Sequence, residues 1–276
     1  MERLNGIVDA TFSSTTFLSR LPTWRLKSEE EASSLPNFQR SAHAFPLAGI
    51  VIALPAVIVF WLTSLAGLPA TISALLTVVA LMFTTGALHE DGLADVADGF
   101  WGGHTLERKL EIMRDSAIGT YGVLALVASF GLRAACIAAL AMVRTPEEVA
   151  MLVIAVASLS RAAMVWPWVL LPAVRPAQSD GLISGIKEAG GLSVRYGEPD
   201  RQTGLWTLIF CAPALLLLLS ATGLVGAINA VLIGALFVTG GMLVARRHVG
   251  GHTGDVLGAV QQMCEIGLYI GLLIAI

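Results

Sequence analysis

The chain has 276 residues, 55% of them hydrophobic and only 13% charged, with a mean hydropathy of +0.76 and a formal net charge of −3. Soluble domains carry about 25% charged residues, so the composition excludes a soluble globular protein, and no nucleic-acid partner is expected. What it admits is an all-α, polytopic membrane bundle.

Residues 1–42 form a polar N-terminal segment. Its first twenty residues include Asp9 and Arg20 and lack a continuous apolar core, so no signal peptide is expected. Ser28-Glu-Glu-Glu31 suits the start of a short surface helix. Apolar runs of about 20 residues, enough to cross a bilayer, follow at 43–66, 69–89, 121–143, 149–171, 204–221, 224–245 and 255–276. That predicts about seven spans, or six if the short run 204–221 does not cross. Between the second and third, residues 104–120 read as a cytosolic amphipathic helix. Thr105 is its N-cap, and Leu106, Leu110, Met113 and Ile118 form its apolar side. Residues 172–203, rich in Gly, Pro and Arg, read as an irregular loop. The whole of 1–276 is taken as one membrane-embedded domain.

The basic residues orient it. Segments 1–42, 90–120, 172–203 and 246–254 hold fourteen Lys/Arg, while the opposite turns hold only Arg144. The positive-inside rule then places the N-terminus and every long polar loop in the cytoplasm. The bacterial cytoplasmic (inner) membrane, with a site on its cytoplasmic face, is the expected location. Cys136, Cys211 and Cys264 fall singly inside predicted spans and read as small buried hydrophobes.

The chemistry concentrates in 88–103, where His89, Glu90, Asp91, Asp95 and Asp98 follow an apolar run. If this stretch is helical, Asp91, Asp95 and Asp98 lie at i, i+4 and i+7, within an arc of roughly 60°. A like-charged pair at about 4–6 Å is worth roughly 3 kcal/mol of repulsion at an effective dielectric of 20, which a hard cation with oxygen ligands relieves. Gly92, Gly99, Gly102 and Gly103 are poor helix formers whose missing side chains would let a backbone or a phosphate approach. Gly250-Gly-His-Thr-Gly-Asp255 could add backbone N–H groups, the Thr253 hydroxyl and a further carboxylate. Lys109 and Arg114 either pair locally with Glu111 and Asp115 or reach a ligand, and Arg20 is a candidate phosphate clamp. Arg133, Arg161 and Glu265 sit near span centres. Unpaired, each would cost about 2.5–3.5 kcal/mol to insert, so an Arg–Glu265 pair inside the bundle is expected.

The runs Gly86-Ala-Leu-His-Glu-Asp-Gly-Leu-Ala-Asp-Val-Ala-Asp-Gly99, Leu110 to Gly122 and Gly250 to Ala259 together resemble the cobalamin synthase (adenosylcobinamide-GDP ribazoletransferase) family. Phe17-Leu-Ser-Arg-Leu-Pro22 and Ala44-Phe-Pro-Leu-Ala-Gly49 fit its N-terminal pattern, so the likeness runs from about residue 12 to 265. His252 and Glu90 depart from the commoner family residues and are not expected to be indispensable. The resemblance implies attack of the 3′-hydroxyl of α-ribazole, or of its 5′-phosphate, on the cobinamide-side phosphorus of adenosylcobinamide-GDP, releasing GMP. It also implies Mg²⁺ as cofactor. On that reading Asp91, Asp95 and Asp98 hold the ion, Asp255 completes its shell or takes the proton, His89 is the competing base, and Asp115 is a lesser ligand. Arg20, Lys109 and Arg114, with Gly99, Gly102, Gly103, Thr253 and His252, would hold phosphate or substrate. Association with other late corrinoid enzymes, and oligomerisation, are compatible with the sequence.

Two rivals follow from the same residues. Asp95-x-x-Asp98-Gly also resembles the opening of the CDP-alcohol phosphotransferase signature, whose later parts are absent. A divalent-cation transporter would place its acids near mid-membrane, with access from both sides. Acids at one interface and minimal opposite turns favour the enzyme.

Overall fold

A computed structural model describes residues 2–22, 38–174 and 198–274 of the chain. The surface helix expected at 28–31 and most of the loop 172–203 lie outside them. The helices are α1 (Glu2–Leu18), α2 (Phe45–Leu65), α3 (Ala70–Thr85), α4 (Leu88–Gly102), α5 (Leu106–Ile112), α6 (Thr120–Val143), α7 (Pro146–Ala163), α8 (Arg201–Phe210), α9 (Ala212–Val249) and α10 (Gly254–Ile274). Short helical pieces precede α2 and follow α7. Among the described residues the sole β pairing is an isolated parallel bridge between Ala173 and His252.

Five stretches are long and apolar enough to cross a membrane: Ala42–Leu65, Thr120–Val143, Pro146–Leu170, Arg201–Val249 and Gly254–Ile274. The pair α3 and α4, bent by 91° at their junction, passes the same test only when taken together, as a broken span or a re-entrant loop. The protein is an integral membrane helical bundle. Arg201–Val249 spans 49 residues, roughly 70 Å at 1.5 Å per residue and more than twice a bilayer core. It is broken at Gly223 (φ 70, ψ −177), between the fifth and sixth expected spans. Next to this break the Arg144 guanidinium donates to the Ala221 carbonyl at 3.2 Å. Val249, at the far end of α9, packs with Phe100 and Leu110 at the opposite end of the bundle.

Two expectations are corrected. The second span does not run to residue 89. It stops at Thr85 because Gly86 (φ 64) and Ala87 (φ 58) are both left-handed, and the Ala87 amide closes back on Met82 O at 2.9 Å. Glycine adopts that conformation freely; alanine there is strained. The chain therefore turns sharply, and α4 runs across the bundle rather than out of it. The helix expected over 104–120 ends at Ile112, although Thr105 caps it as expected by accepting the Arg108 amide at 3.2 Å. Asp115 Oδ1 then accepts the Ala117 amide at 3.0 Å, a local turn that competes with helix.

The core lies between α2, α6, α7, α9 and α10, where Phe60, Ile137, Leu152, Val156, Leu218 and Tyr269 are buried together. The α2–α7 contact is backbone-close: a Cβ on Gly49 would lie 2.6 Å from the Ala157 carbonyl oxygen, and Ser158 Oγ donates to Pro46 O at 2.8 Å. With little hydrophobic drive between helices in lipid, such small-residue contacts let helices associate. Thr145 and Glu148 form a reciprocal capping box at the start of α7.

Candidate active site

The acidic helix α4 is held by three neighbours. At Gly92 it meets α10 so closely that a Cβ would lie 2.8 Å from the Asp255 carbonyl oxygen, and one turn on, a Cβ at Gly258 would lie 3.4 Å from His89 Cα. At its other end Gly99 and Gly103 leave room for α5: their Cβ atoms would collide with Met113 and with Lys109. These two glycines, expected to admit phosphate, admit a helix instead. Gly102 alone of that group is open, with Ile112 Cδ1 3.5 Å from its virtual Cβ.

The third neighbour ties down one of the three stripe aspartates. Asp98 is buried, and its two oxygens accept the amides of Gly119 at 2.7 Å and Gly122 at 2.9 Å. These are orphan donors at the start of α6, whose own cap residue is a glycine. A carboxylate there also meets the positive end of the helix dipole. Side chains at 119 or 122 would run into the Asp98 carboxylate, which accounts for glycine at both places. Asp98 thus spends both oxygens on the fold.

Asp91 and Asp95 remain available. They line a cleft of about 790 Å³ together with Arg114, Asp115 and Ser116, and with Glu90, Arg133, Leu126, Val127 and Phe130. Asp95 lies in the field of Asp255, Asp91 and Asp98, and Asp255 in that of Asp91 and Arg114. Among the described residues none of Asp91, Asp95 or Asp255 forms an ion pair. Nor do any three His, Cys, Asp or Glu side chains converge there into a ready-made metal site.

The other candidates are dispersed. Thr253 caps α10, accepting the Val256 amide at 3.2 Å and donating to Asp255 Oδ2 at 3.4 Å. His252 is buried, strapped by His252 N to Pro172 O at 2.9 Å and Val174 N to His252 O at 3.0 Å. Burial pushes the His252 imidazole below its usual range, partly offset by Glu198. Lys109 Nζ donates to the His248 carbonyl at 3.3 Å and is not part of the cleft wall. Arg20 is exposed. Its amide donates to Thr84 O at 2.7 Å and its guanidinium lies over Gly86, at the bend where α4 begins. His89 is 1% exposed, lies against α10 outside the cleft, and has no hydrogen-bond partner among the described residues.

A buried polar network adjoins the cleft; the sequence reading anticipated its Arg–Glu265 pairing but missed Glu90, Gln261, Gln262, Ser129 and Ser160. Arg133 pairs with Glu90 at 2.9 Å and with Glu265 at 3.6 Å, and Arg161 reaches Glu265 at 3.5 Å. Gln261 Nε2 donates to Glu265 Oε2 at 2.6 Å and to Ser160 Oγ at 3.0 Å. Gln262 Nε2 donates to Glu90 Oε1 at 3.2 Å, and Ser129 Oγ donates to Gln262 Oε1 at 2.7 Å. The expected Arg–Glu265 pair is present twice. Adjacent glutamines in an apolar span were the overlooked signal; Glu90 was hidden by standing next to Asp91.

A model of the cobalamin-5-phosphate synthase family matches residues 10–273. The chain is 40% identical over 278 residues to a protein of Sinorhizobium medicae, with 100% of each chain covered. It is 40% identical over 259 residues to one of Azorhizobium caulinodans, covering 94% of this chain and 92% of the relative. A Brucella canis protein is 37% identical over 279 residues, with 99% of each covered. All three relatives are named adenosylcobinamide-GDP ribazoletransferase. No solved structure matches.

Proposed function

The chain belongs to the cobalamin-5-phosphate synthase family and is a membrane-embedded transferase of cobalamin biosynthesis. From that premise we propose that it joins adenosylcobinamide-GDP to α-ribazole, or to its 5′-phosphate, in the cleft beside α4. The observation that carries this reading is that Asp91 and Asp95 open on the cleft with Arg114 while no described cation pairs with either carboxylate. Uncompensated acids beside one arginine suit a pyrophosphate that arrives with its counter-ion.

The donor set fits magnesium. Mg²⁺ is commonly bound by one or two carboxylates plus substrate phosphates rather than by a full protein cage, and Asp91 and Asp95 offer two hard oxygen donors with Asp255 behind them. When bound, the ion would neutralise charge on the pyrophosphate and on departing GMP. The 3′-hydroxyl of α-ribazole forms the new P–O bond, the bond from that phosphorus to the GMP oxygen breaks, and the hydroxyl proton passes to a cleft carboxylate. Arg114 steadies the guanylate phosphate by charge-assisted hydrogen bonds. Asp98 enters indirectly, by fixing α4 against α6.

The cleft faces the cytoplasm in this reading. Arg108, Lys109, Arg114, Arg246 and Arg247 gather at its end of the bundle, and Arg144 stands at the other. The test is release of GMP from adenosylcobinamide-GDP by membranes carrying the protein, dependent on both Mg²⁺ and α-ribazole. Folded, correctly inserted protein that releases no GMP with both present overturns the reading.

A further inference from the structure

We propose that Gly131 sets acceptor specificity: the space it leaves on α6 seats the benzimidazole base of α-ribazole, on the flank of the cleft that opens to the bilayer. The proposal rests on the reading of the chain as a ribazole transferase.

The helices α4 and α6 are tied at two points, Asp98 on the Gly122 amide and Glu90 on Arg133. Between these points α6 lends the cleft Leu126, Val127, Phe130 and Gly131. Val127, at 66%, and Gly131 are also exposed, as are Val123 and Leu124 before them. The span Thr120–Val143 is long and apolar enough to cross a membrane. Gly131 lies about 16 Å along it from Thr120 at 1.5 Å per residue, beyond the exposed Tyr121, a residue type favoured at the membrane interface. This flank of the cleft therefore faces hydrocarbon.

Glycine inside a helix is unfavourable relative to alanine, and elsewhere in the bundle a close neighbour accounts for it. A Cβ at Gly49, Gly267 or Gly271 would lie 2.6, 3.0 or 2.5 Å from a carbonyl oxygen of another helix. At Gly131 a Cβ would meet nothing within 4 Å. The space belongs to the cleft and not to helix packing. Gly240 is equally open but lies outside the cleft.

The lipid-facing flank selects its occupant. Phosphates, guanine and the corrinoid amides would lose water there without a hydrogen-bonding partner, which is unfavourable. The base of α-ribazole is flat, uncharged and apolar over its dimethylated ring. Phe130, half-buried in the same wall, gives that ring an aromatic neighbour. With the base against α6, the ribose spans the cleft toward Asp91 and Asp95 on α4, where its 3′-hydroxyl has to react.

The test measures GMP release with acceptor and adenosylcobinamide-GDP varied separately, in wild type, Gly131→Leu and Gly240→Leu. Leucine at 131 should raise the KM for α-ribazole by about tenfold or more, as for surplus methylenes in an apolar pocket, and that for adenosylcobinamide-GDP by less than about threefold. Gly240→Leu should change neither. In wild type the α-riboside of unmethylated benzimidazole should be about tenfold poorer in kcat/KM than α-ribazole, and Gly131→Leu should narrow or reverse that preference. An unchanged acceptor KM in Gly131→Leu leaves the space to lipid and overturns the proposal. A rise confined to adenosylcobinamide-GDP assigns it to the corrinoid, and an equal rise in both marks general distortion of the cleft; either result overturns it too. If Gly131→Leu is not recovered folded, Gly131→Ala and the wild-type pair of acceptors decide. Wild-type protein that releases no GMP with α-ribazole refutes the proposed reaction itself, a distinct result.

Discussion

Gly92 of the acidic helix and Asp255 of the last helix meet backbone to backbone, with a virtual Cβ on Gly92 only 2.8 Å from the Asp255 carbonyl oxygen. This contact brings two acidic motifs more than 160 residues apart in sequence into one electrostatic field.

Gly92→Ala should therefore push α4 off α10. We expect a loss of about 1–3 kcal/mol, typical of overpacking, and a marked fall in GMP release. Gly258→Ala makes only an ordinary 3.4 Å contact and should be neutral or slightly stabilising, as alanine favours helix by up to about 1 kcal/mol. Thermal unfolding in detergent compares the two. Equal destabilisation would contradict the packing described.

Asp91 and Asp98 should fail differently. Asp98→Ala removes two hydrogen bonds from the start of α6 and should cost about 2 kcal/mol of stability. Asp91→Ala lies on the cleft surface and should shift stability by less than about 0.5 kcal/mol while abolishing Mg²⁺-dependent GMP release. Melting curves and activity measured on the same preparations separate these roles. Near-wild-type turnover in Asp91→Ala removes that residue from the proposed ion shell.

The two basic candidates of the 106–115 region are likewise distinguishable. Arg114→Ala should reduce kcat/KM for adenosylcobinamide-GDP by about tenfold to a hundredfold, the value of a charge-assisted hydrogen bond. Lys109→Ala, whose ammonium is engaged with His248, should change it by less than about threefold. Steady-state kinetics with the corrinoid varied is the measurement, and the reverse order would relocate the phosphate site.

Arg133→Met leaves Glu90 and Glu265 facing each other with one guanidinium, and breaking a buried pair in this way costs about 3–5 kcal/mol. The yield of folded, detergent-stable protein should fall sharply and recover in part when Glu90→Gln is added. No recovery in the double variant would show that the two side chains do not act as a pair.

Much of the architecture could be read before the fold. Apolar runs marked the spans, the break between the fifth and sixth falls at Gly223, and Arg133, Arg161 and Glu265 had to find each other because lipid offers no other partner. Asp91 and Asp95 were assigned to one face and share the cleft. Asp98, seven residues on, was assigned with them yet is drawn away by two glycine amides of α6. Lys109 was read with Arg114 but points to α9. Glu90 was read with the acids of the mouth, although one residue of helix is a rotation of about 100° and turns it inward.

Hydropathy and helical period are local quantities: they fix where segments enter the membrane and which side chains share a face. On those grounds alone the chain is a membrane bundle with an acidic face at one end. Which neighbour each face meets depends on contacts between distant segments: α4 against 119–122, 255–262 and Arg133, and the left-handed pair Gly86-Ala87 that swings it across the bundle. No periodicity encodes such contacts. Only the folded chain decided that two aspartates open on the cleft, that the third holds a helix, and that Glu90 turns inward onto Arg133.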